Sequence, residues 1–165
     1  MATVTQLKVR AEEGERADFS QLGSRYVLRG DRSEGRYALI EHTIPPRALA
    51  APMHVHERED EYSFVLAGRL GAQIGDKVIE AGPGDLVVKP RGIPHAFWNP
   101  ADEETRVLEI ISPAGFEQYF ADLAPVLARP GEPDLQALGE IRLRYGLTMD
   151  MASRERLIEE HGLEA

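Results

Sequence analysis

Four side chains with ligand-type groups stand at spacings that would let them hold one metal ion. His54 and His56 are two residues apart, so both imidazoles face the same side of an extended strand. Glu61 follows after four further residues, enough for a turn into the next strand, and His95 follows a turn rich in proline and glycine. Three neutral imidazoles and one carboxylate suit a divalent transition metal, so the set predicts a site for one ion of Fe, Mn, Co, Ni, Cu or Zn.

The same residues belong to two longer patterns, H-x-H-x4-E-x6-G and G-x5-P-x-G-x2-H-x3-N. Their fixed positions are His54, His56, Glu61 and Gly68 in the first pattern and Gly84, Pro90, Gly92, His95 and Asn99 in the second. Together they resemble the two signature motifs of the cupin superfamily, except that Ala48 stands where a glycine is usual. The short segment between the motifs resembles that of compact single-domain bacterial cupins. The sequences HVH and EDE, together with the C-terminal helical pattern, resemble small bacterial proteins described as quercetin-dioxygenase-like.

The resemblance implies a jelly-roll β-barrel, and the residue pattern favours an all-β fold on its own. Short segments rich in strand-forming residues alternate with turn signals along most of the chain, which is typical of a sandwich or barrel. The last third differs, because apolar residues recur there at the spacing of amphipathic helices. We therefore expect an N-terminal arm over residues 1–20, a cupin barrel over 21–112 and a C-terminal helical extension over 113–165.

Within these regions, the pattern makes several more local predictions. It predicts an edge strand over residues 4–9, a charged linker over 11–18 and a buried strand over 86–88. It also predicts helices over 115–128, 134–145 and 150–161, each of which must bury its apolar stripe. Three places for these stripes stay open: the mouth of the barrel, where the helices would form a lid, its outer face, or a partner molecule.

Strand alternation predicts which side chains surround the metal. Along the strand that begins at Glu61, every second residue faces the metal, and Phe97 shares a face with His95. His42 either reaches the cavity or is a strand-end histidine near the surface. No Lys or Arg is assigned to the pocket, so an apolar chelating ligand is favoured over a phosphorylated one. The expected pocket residues are Ser63, Val65, Phe97 and His42.

Apolar side chains are also expected on surfaces that one barrel wall does not easily cover. The outer face of the strand after Glu61 is one such surface, and the stripe of the first helix is another. We therefore expect a homodimer. The residues concerned are Tyr62, Phe64 and Leu66 on the strand and Phe116, Tyr119, Phe120 and Leu123 on the helix.

Composition narrows the class of protein. A net charge of −9 argues against nucleic acid or an anionic membrane as a partner. The chain contains no cysteine, which excludes disulfides, thiolate ligands and a cysteine nucleophile. No segment resembles a membrane span or a signal peptide, so we expect a cytoplasmic protein whose partner is a small molecule.

The residues alone leave the chemistry open, because Lewis-acid polarisation, activation of water and oxygen chemistry would use the same ligands. The resemblance implies a metal-dependent dioxygenase, an oxidoreductase acting on a small apolar chelating molecule such as a flavonol or diketone. Glu61 would be its catalytic residue, either as a ligand or, once released from the metal, as a base. The alternatives are a non-catalytic small-molecule or metal-binding cupin, and a metal-dependent isomerase or decarboxylase.

Overall fold

The structure is a computed structural model that describes residues 8–19, 22–129, 131 and 134–164. In chain order the elements are the strands β1 (Arg16–Phe19), β2 (Leu22–Leu28), β3 (Ala38–Ile44), β4 (Leu49–His56), β5 (Asp60–Ala67), β6 (Leu70–Ile74), β7 (Lys77–Ala81), β8 (Leu86–Lys89), β9 (His95–Trp98) and β10 (Thr105–Ser112), the helices α1 (Glu117–Leu127) and α2 (Leu135–Arg144), the strand β11 (Leu147–Met149) and the helix α3 (Ser153–His161).

The strands form two antiparallel sheets. The larger has six strands in the order β1-β2-β3-β10-β5-β8, and the smaller has five in the order β11-β4-β9-β6-β7. The core contains side chains from both sheets, because alternate residues of each strand turn inward. The all-β jelly-roll with C-terminal helices that the sequence predicted is confirmed. Core residues include Ile44, Val65 and Val107 from the larger sheet and Leu70, Ala72 and Phe97 from the smaller.

The C-terminal extension packs on the barrel of its own chain. Phe116 and Tyr119 at the start of α1 and Leu138 of α2 form one apolar cluster with Ile40 and Ile111 of the larger sheet. The stripe of α1 therefore packs on the barrel of its own chain, where Phe116 and Tyr119 are buried and Phe120 and Leu123 are half-buried. None of the helices in the described part of the chain is long and apolar enough to cross a membrane.

Strand β11 ties the extension to the strand that carries the first two histidines. It pairs antiparallel with β4, so that Leu147 lies opposite His56 and Met149 opposite His54. The sequence did not predict this strand, because a three-residue segment after Gly146 is too short to show a period. Because α2 and α3 flank β11 in the chain, this pairing places both helices close to the end of the barrel that the histidines occupy.

Two predicted elements differ from the structure. Residues 11–18 are not all linker, because Arg16 begins β1, which pairs with β2 at the edge of the larger sheet through backbone hydrogen bonds. Residues 86–88 form a strand, but Leu86 and Val88 are 50% and 48% exposed, because they lie on the outer face of the sheet while Val87 between them is buried. The predicted edge strand over residues 4–9 lies mostly outside the described residues.

Candidate metal centre

The four residues with ligand-type side chains meet inside the barrel. His54 and His56 come from β4, Glu61 from β5 and His95 from β9, and one candidate ligand atom from each lies within 4.8 Å of the other three. All four side chains are buried. The register explains the meeting, because His54 lies directly opposite His95 in the smaller sheet and the turn after β4 carries the chain to Glu61 in the larger one.

Backbone carbonyls orient two of the imidazoles. His54 Nδ1 is 2.8 Å from the carbonyl oxygen of Pro52, and His95 Nδ1 is 3.0 Å from that of Ile93. A carbonyl only accepts, so each Nδ1 donates and each Nε2 keeps its lone pair for a metal. Burial is the main cause that lowers the pKa of His54 and of His56, which keeps both rings in the neutral form that binds metals.

Glu61 completes the donor set. Its Oε1 lies 3.4 Å from His56 Nε2, and its Oε2 lies 3.3 Å from His95 Nε2. His95 Nε2 is buried and makes no hydrogen bond to any described residue, as expected for an atom whose partner is an ion. Burial would raise the pKa of Glu61, but the Lys89 ammonium and the imidazoles outweigh it and hold the pKa well below its usual range. Three imidazoles and one ionised carboxylate fit a transition metal ion.

Lys89 is a charged member of the site that the sequence analysis missed. It is only 1% exposed, and its Nζ lies 3.0 Å from Glu61 Oε2 and 2.9 Å from Glu109 Oε2. Burial would lower the pKa of Lys89, but the two carboxylates outweigh it and raise the pKa, so the side chain is an ammonium. The signal was the alternation of β8, which turns Val87 and Lys89 inward together. The sequence assigned no Lys to the pocket, and Lys89 is not among the residues that line the cavity, although it contacts Glu61, which does line it.

Glu109 is the second carboxylate of this group. It comes from β10, directly opposite Ser63 of β5, whose hydroxyl donates to Glu109 Oε2 at 2.7 Å. Burial raises the pKa of Glu109, and the Lys89 ammonium offsets this only in part. Glu109 lines the cavity beside the cluster, as do His54, His56 and Glu61, whereas His95 is not among the lining residues.

The structure places the predicted pocket residues in two groups. His42 and Phe97 line the cavity. Ser63 and Val65 face inward but are not among its lining residues, because Ser63 turns its hydroxyl to Glu109 and Val65 packs in the core. The His42 ring lies 2.9 Å from the Ser24 hydroxyl through Nδ1, and burial lowers the pKa of His42 to about 4, so the ring is neutral.

The C-terminal extension supplies the rest of the cavity wall. The cavity has a volume of about 300 Å³ and a largely apolar lining. The barrel contributes the metal-site end, and the helices and β11 contribute the other end. The extension thus covers the mouth of its own barrel, one of the three placements that the sequence left open. Its lining side chains include Phe116, Tyr119, Phe120, Leu123, Leu147 and Met149.

Two arginines stand among these apolar side chains. Arg142 of α2 and Arg154 of α3 both line the cavity. Arg142 Nε is buried and makes no hydrogen bond to a described residue. The sequence predicted no Arg in the pocket, because apolar stripes place a helix without showing where its polar face lies.

Glu59 is buried beside the cluster, although its neighbours Glu57 and Arg58 in the same turn are exposed. It is 6% exposed, and its Oε2 lies 3.8 Å from His56 Nδ1, too far for a hydrogen bond. Both atoms lack a hydrogen-bond partner among the described residues. When His56 Nε2 binds a metal, its Nδ1–H faces this carboxylate, which would orient the ring as outer carboxylates do in metal sites.

We therefore expect Glu59→Gln to weaken metal binding by about tenfold to a hundredfold, because the amide is a poorer acceptor for the His56 Nδ1–H. Competition with a chromophoric chelator measures the affinity. Glu57→Gln is the matched control, since Glu57 is exposed in the same turn. Equal affinities in the two variants would contradict the role given to Glu59.

Comparison with known proteins agrees with this geometry. The model of the cupin domain family matches residues 40–111, a span that runs from β3 to β10 and includes the whole cluster. A comparison with curated proteins gives no match. Residues 40–111 therefore match the cupin domain family, in agreement with the resemblance of the two motifs.

Solved structures show the same fold. KdgF from Halomonas sp. has a TM-score of 0.59 and 18% identity, over 66% of this chain and 96% of that one. A predicted oxalate decarboxylase from Thermotoga maritima has a TM-score of 0.61 and 19% identity, over 65% and 99%. The polyketide cyclase RemF from Streptomyces resistomycificus has a TM-score of 0.56 and 25% identity, over 65% and 79%. The matched part of the chain is about as long as the barrel alone. These structures therefore show the fold, and the substrate has to be inferred from the site.

Proposed function

We propose that this cupin is a metal-dependent dioxygenase acting on a small chelating organic molecule, with a diketone or related enol as the preferred class. The observation that carries the proposal is the cluster of His54, His56, Glu61 and His95 at one end of a covered, mostly apolar cavity. Such a site accepts an organic molecule and keeps bulk water away from it.

The proposed cofactor is a single divalent transition metal ion held by these four residues. Once bound, the ion would supply Lewis-acid polarisation and one-electron chemistry. His54, His56 and Glu61 line the cavity, so a chelating substrate would approach from their side, with Phe97 beside it. The apolar side chains of α1 and β11 would hold the body of the substrate and exclude water.

The size of the cavity favours a small substrate within this class. About 300 Å³ lies at the lower end of the range for ligand sites, which suits a diketone or a one-ring enol better than a larger flavonol. The relative RemF supports the choice, because it is described as a polyketide cyclase and polyketides carry ketone and enol groups. Arg142 and Arg154 suit a substrate with an oxygen-rich group at the end remote from the metal.

An oxygen electrode tests the proposal. Protein loaded in turn with Fe(II), Mn(II), Co(II) and Ni(II) should consume O2 when given diketones, one-ring enols or flavonols, and the apoprotein should not. Diketone turnover without oxygen uptake would support an isomerase or decarboxylase instead. Binding of the same compounds without any turnover would leave a non-catalytic binding protein.

We also propose that two copies pair through the outer face of the larger sheet. Phe64 and Leu66 of β5 are 37% and 39% exposed, and Leu86 and Val88 lie on the neighbouring edge strand β8. The same patch on a second copy would cover this apolar surface around a two-fold axis. Multi-angle light scattering should show a dimer, and Phe64→Asp should shift it toward monomer. A monomeric parent protein at micromolar concentration would contradict this assembly.

A further inference from the structure

The two carboxylate oxygens of Glu109 differ in their hydrogen bonding. Oε2 accepts from Ser63 Oγ at 2.7 Å and from Lys89 Nζ at 2.9 Å. Oε1 is buried and has no hydrogen-bond partner among the described residues. The side chain is 1% exposed, yet it lines the cavity. A buried acceptor without a partner is costly, so its place on a cavity wall points to a ligand that supplies the missing hydrogen.

Glu61 does not offer a comparable oxygen. Its Oε2 faces the Lys89 ammonium at 3.0 Å, and both of its oxygens lie within 3.4 Å of the imidazoles that would share the metal. A carboxylate committed to a metal and to an ammonium is poorly placed to take a proton from a substrate. The two carboxylates share Lys89 but have different surroundings. Such a difference allows one carboxylate of an active site to act as a metal ligand and the other as a base.

We propose that Glu109 is the catalytic base that removes the enol or hydroxyl proton of a substrate bound at the metal centre. The substrate O–H bond breaks and an O–H bond forms at Glu109 Oε1, while the electron pair stays on the substrate oxygen as an enolate. Negative charge thus moves from Glu109 to the ligand, and no other reactant is needed. The inference rests on the proposed function for the class of ligand.

The charged groups around Glu109 suit this role. Lys89 on β8 faces Oε2, Glu61 on β5 lies on the far side of Lys89, and neutral His42 lies on the neighbouring strand β3. Burial raises the pKa of Glu109, with the Glu61 charge adding to it, and this makes the carboxylate a stronger base than an exposed one. Lys89 and Ser63 act as positioning residues, because both bind Oε2 and leave Oε1 without a partner among the described residues.

Proton counting by calorimetry tests the assignment without any catalytic turnover. Metal-loaded protein is titrated with 2,4-pentanedione at neutral pH, without O2, in two buffers of different ionisation enthalpy. The parent protein should bind the enolate and release close to no proton, because Glu109 keeps it. Glu109→Gln should release close to one proton per diketone bound and bind at least about tenfold more weakly. The enolate absorption band gives an independent reading of the bound form.

Glu109→Asp keeps a carboxylate and should retain the proton, with weaker binding because the shorter side chain reaches less far. Glu41→Gln is the matched control, since Glu41 lies on the outer face of the same sheet, where it pairs with Arg25 and Arg106, and it should behave as the parent does. Melting temperature and metal content establish that each variant is folded and loaded, and Glu109→Asp serves alone if Glu109→Gln does not fold.

The same proton count in Glu109→Gln and in the parent would overturn the inference, and so would release of a full proton by the parent or by Glu109→Asp. Loss of binding in both Glu109 variants would also count against it, because the shorter carboxylate keeps the base. Failure of the parent to bind any diketone would remove the substrate class and this inference together. If the parent protein retains the proton but consumes no oxygen, only the proposed dioxygenase activity would be contradicted.

Discussion

Lys89→Met should lower the free energy of unfolding of the apoprotein by about 3–5 kcal/mol, the cost of breaking a buried ion pair by removing one partner. Lys89 is the shared counter-charge of Glu61 and Glu109, and all three side chains are buried. Methionine fills a similar volume, so the loss would report the two uncompensated carboxylates rather than a cavity. Urea unfolding at pH 7 measures it.

The loss should depend on pH in a defined direction. Without the ammonium, the pKa of Glu109, already raised by burial, would rise further. A carboxyl group whose folded pKa is raised favours the folded state at low pH and loses that contribution as the pH rises through the folded pKa. The variant should therefore lose less stability at pH 5 than at pH 8. Lys77→Met is the control, because Lys77 is exposed on β7. A loss below about 1 kcal/mol at pH 8 would contradict the pairing.

The metal cluster was predictable from the sequence because its members depend on short-range geometry. The spacing of His54 and His56 places both rings on one face of a strand, and one turn separates them from Glu61. His95 follows a tight turn that begins a new strand. These relations span few residues, whereas the position of His95 beside His54 depends on the pairing of β4 with β9, and the resemblance of the two motifs to one family linked it to the others.

The ion-pair group behind the cluster was not predictable in the same way. Lys89 meets Glu61 because β8 pairs with β5, and Ser63 meets Glu109 because β10 pairs with β5 from the other side. These are registers between strands that are distant in sequence. Alternation places Lys89 and Glu109 on inward faces, but it does not say which inward side chains become neighbours.

The sequence also did not show that the C-terminal helices cover the cavity, because this depends on contacts between distant parts of the chain. The helices were readable from their apolar periods, but a stripe does not identify the surface that it covers. The deciding element is β11, three residues long, which joins the smaller sheet beside His54 and His56. The helices α1 and α2 pack against the barrel next to this strand, and Arg142 of α2 lines the cavity.

His95→Ala should remove most of the metal from a protein that otherwise carries close to one ion per chain. His95 supplies a buried, unpartnered Nε2 to the cluster, and its loss leaves an incomplete donor set in a cavity built for four ligands. Metal that binds only the folded state adds about 4 kcal/mol of stability at a thousandfold excess over its dissociation constant. The parent protein should therefore melt at a clearly higher temperature with metal than without it, and His95→Ala should show little change. Elemental analysis and thermal denaturation give the two readings.

His161→Ala is the matched control, because His161 stacks on Trp98 with the ring centroids 4.0 Å apart and lies outside the cluster. If His95→Ala retains as much metal as His161→Ala, the assignment of this cluster as the metal centre is wrong.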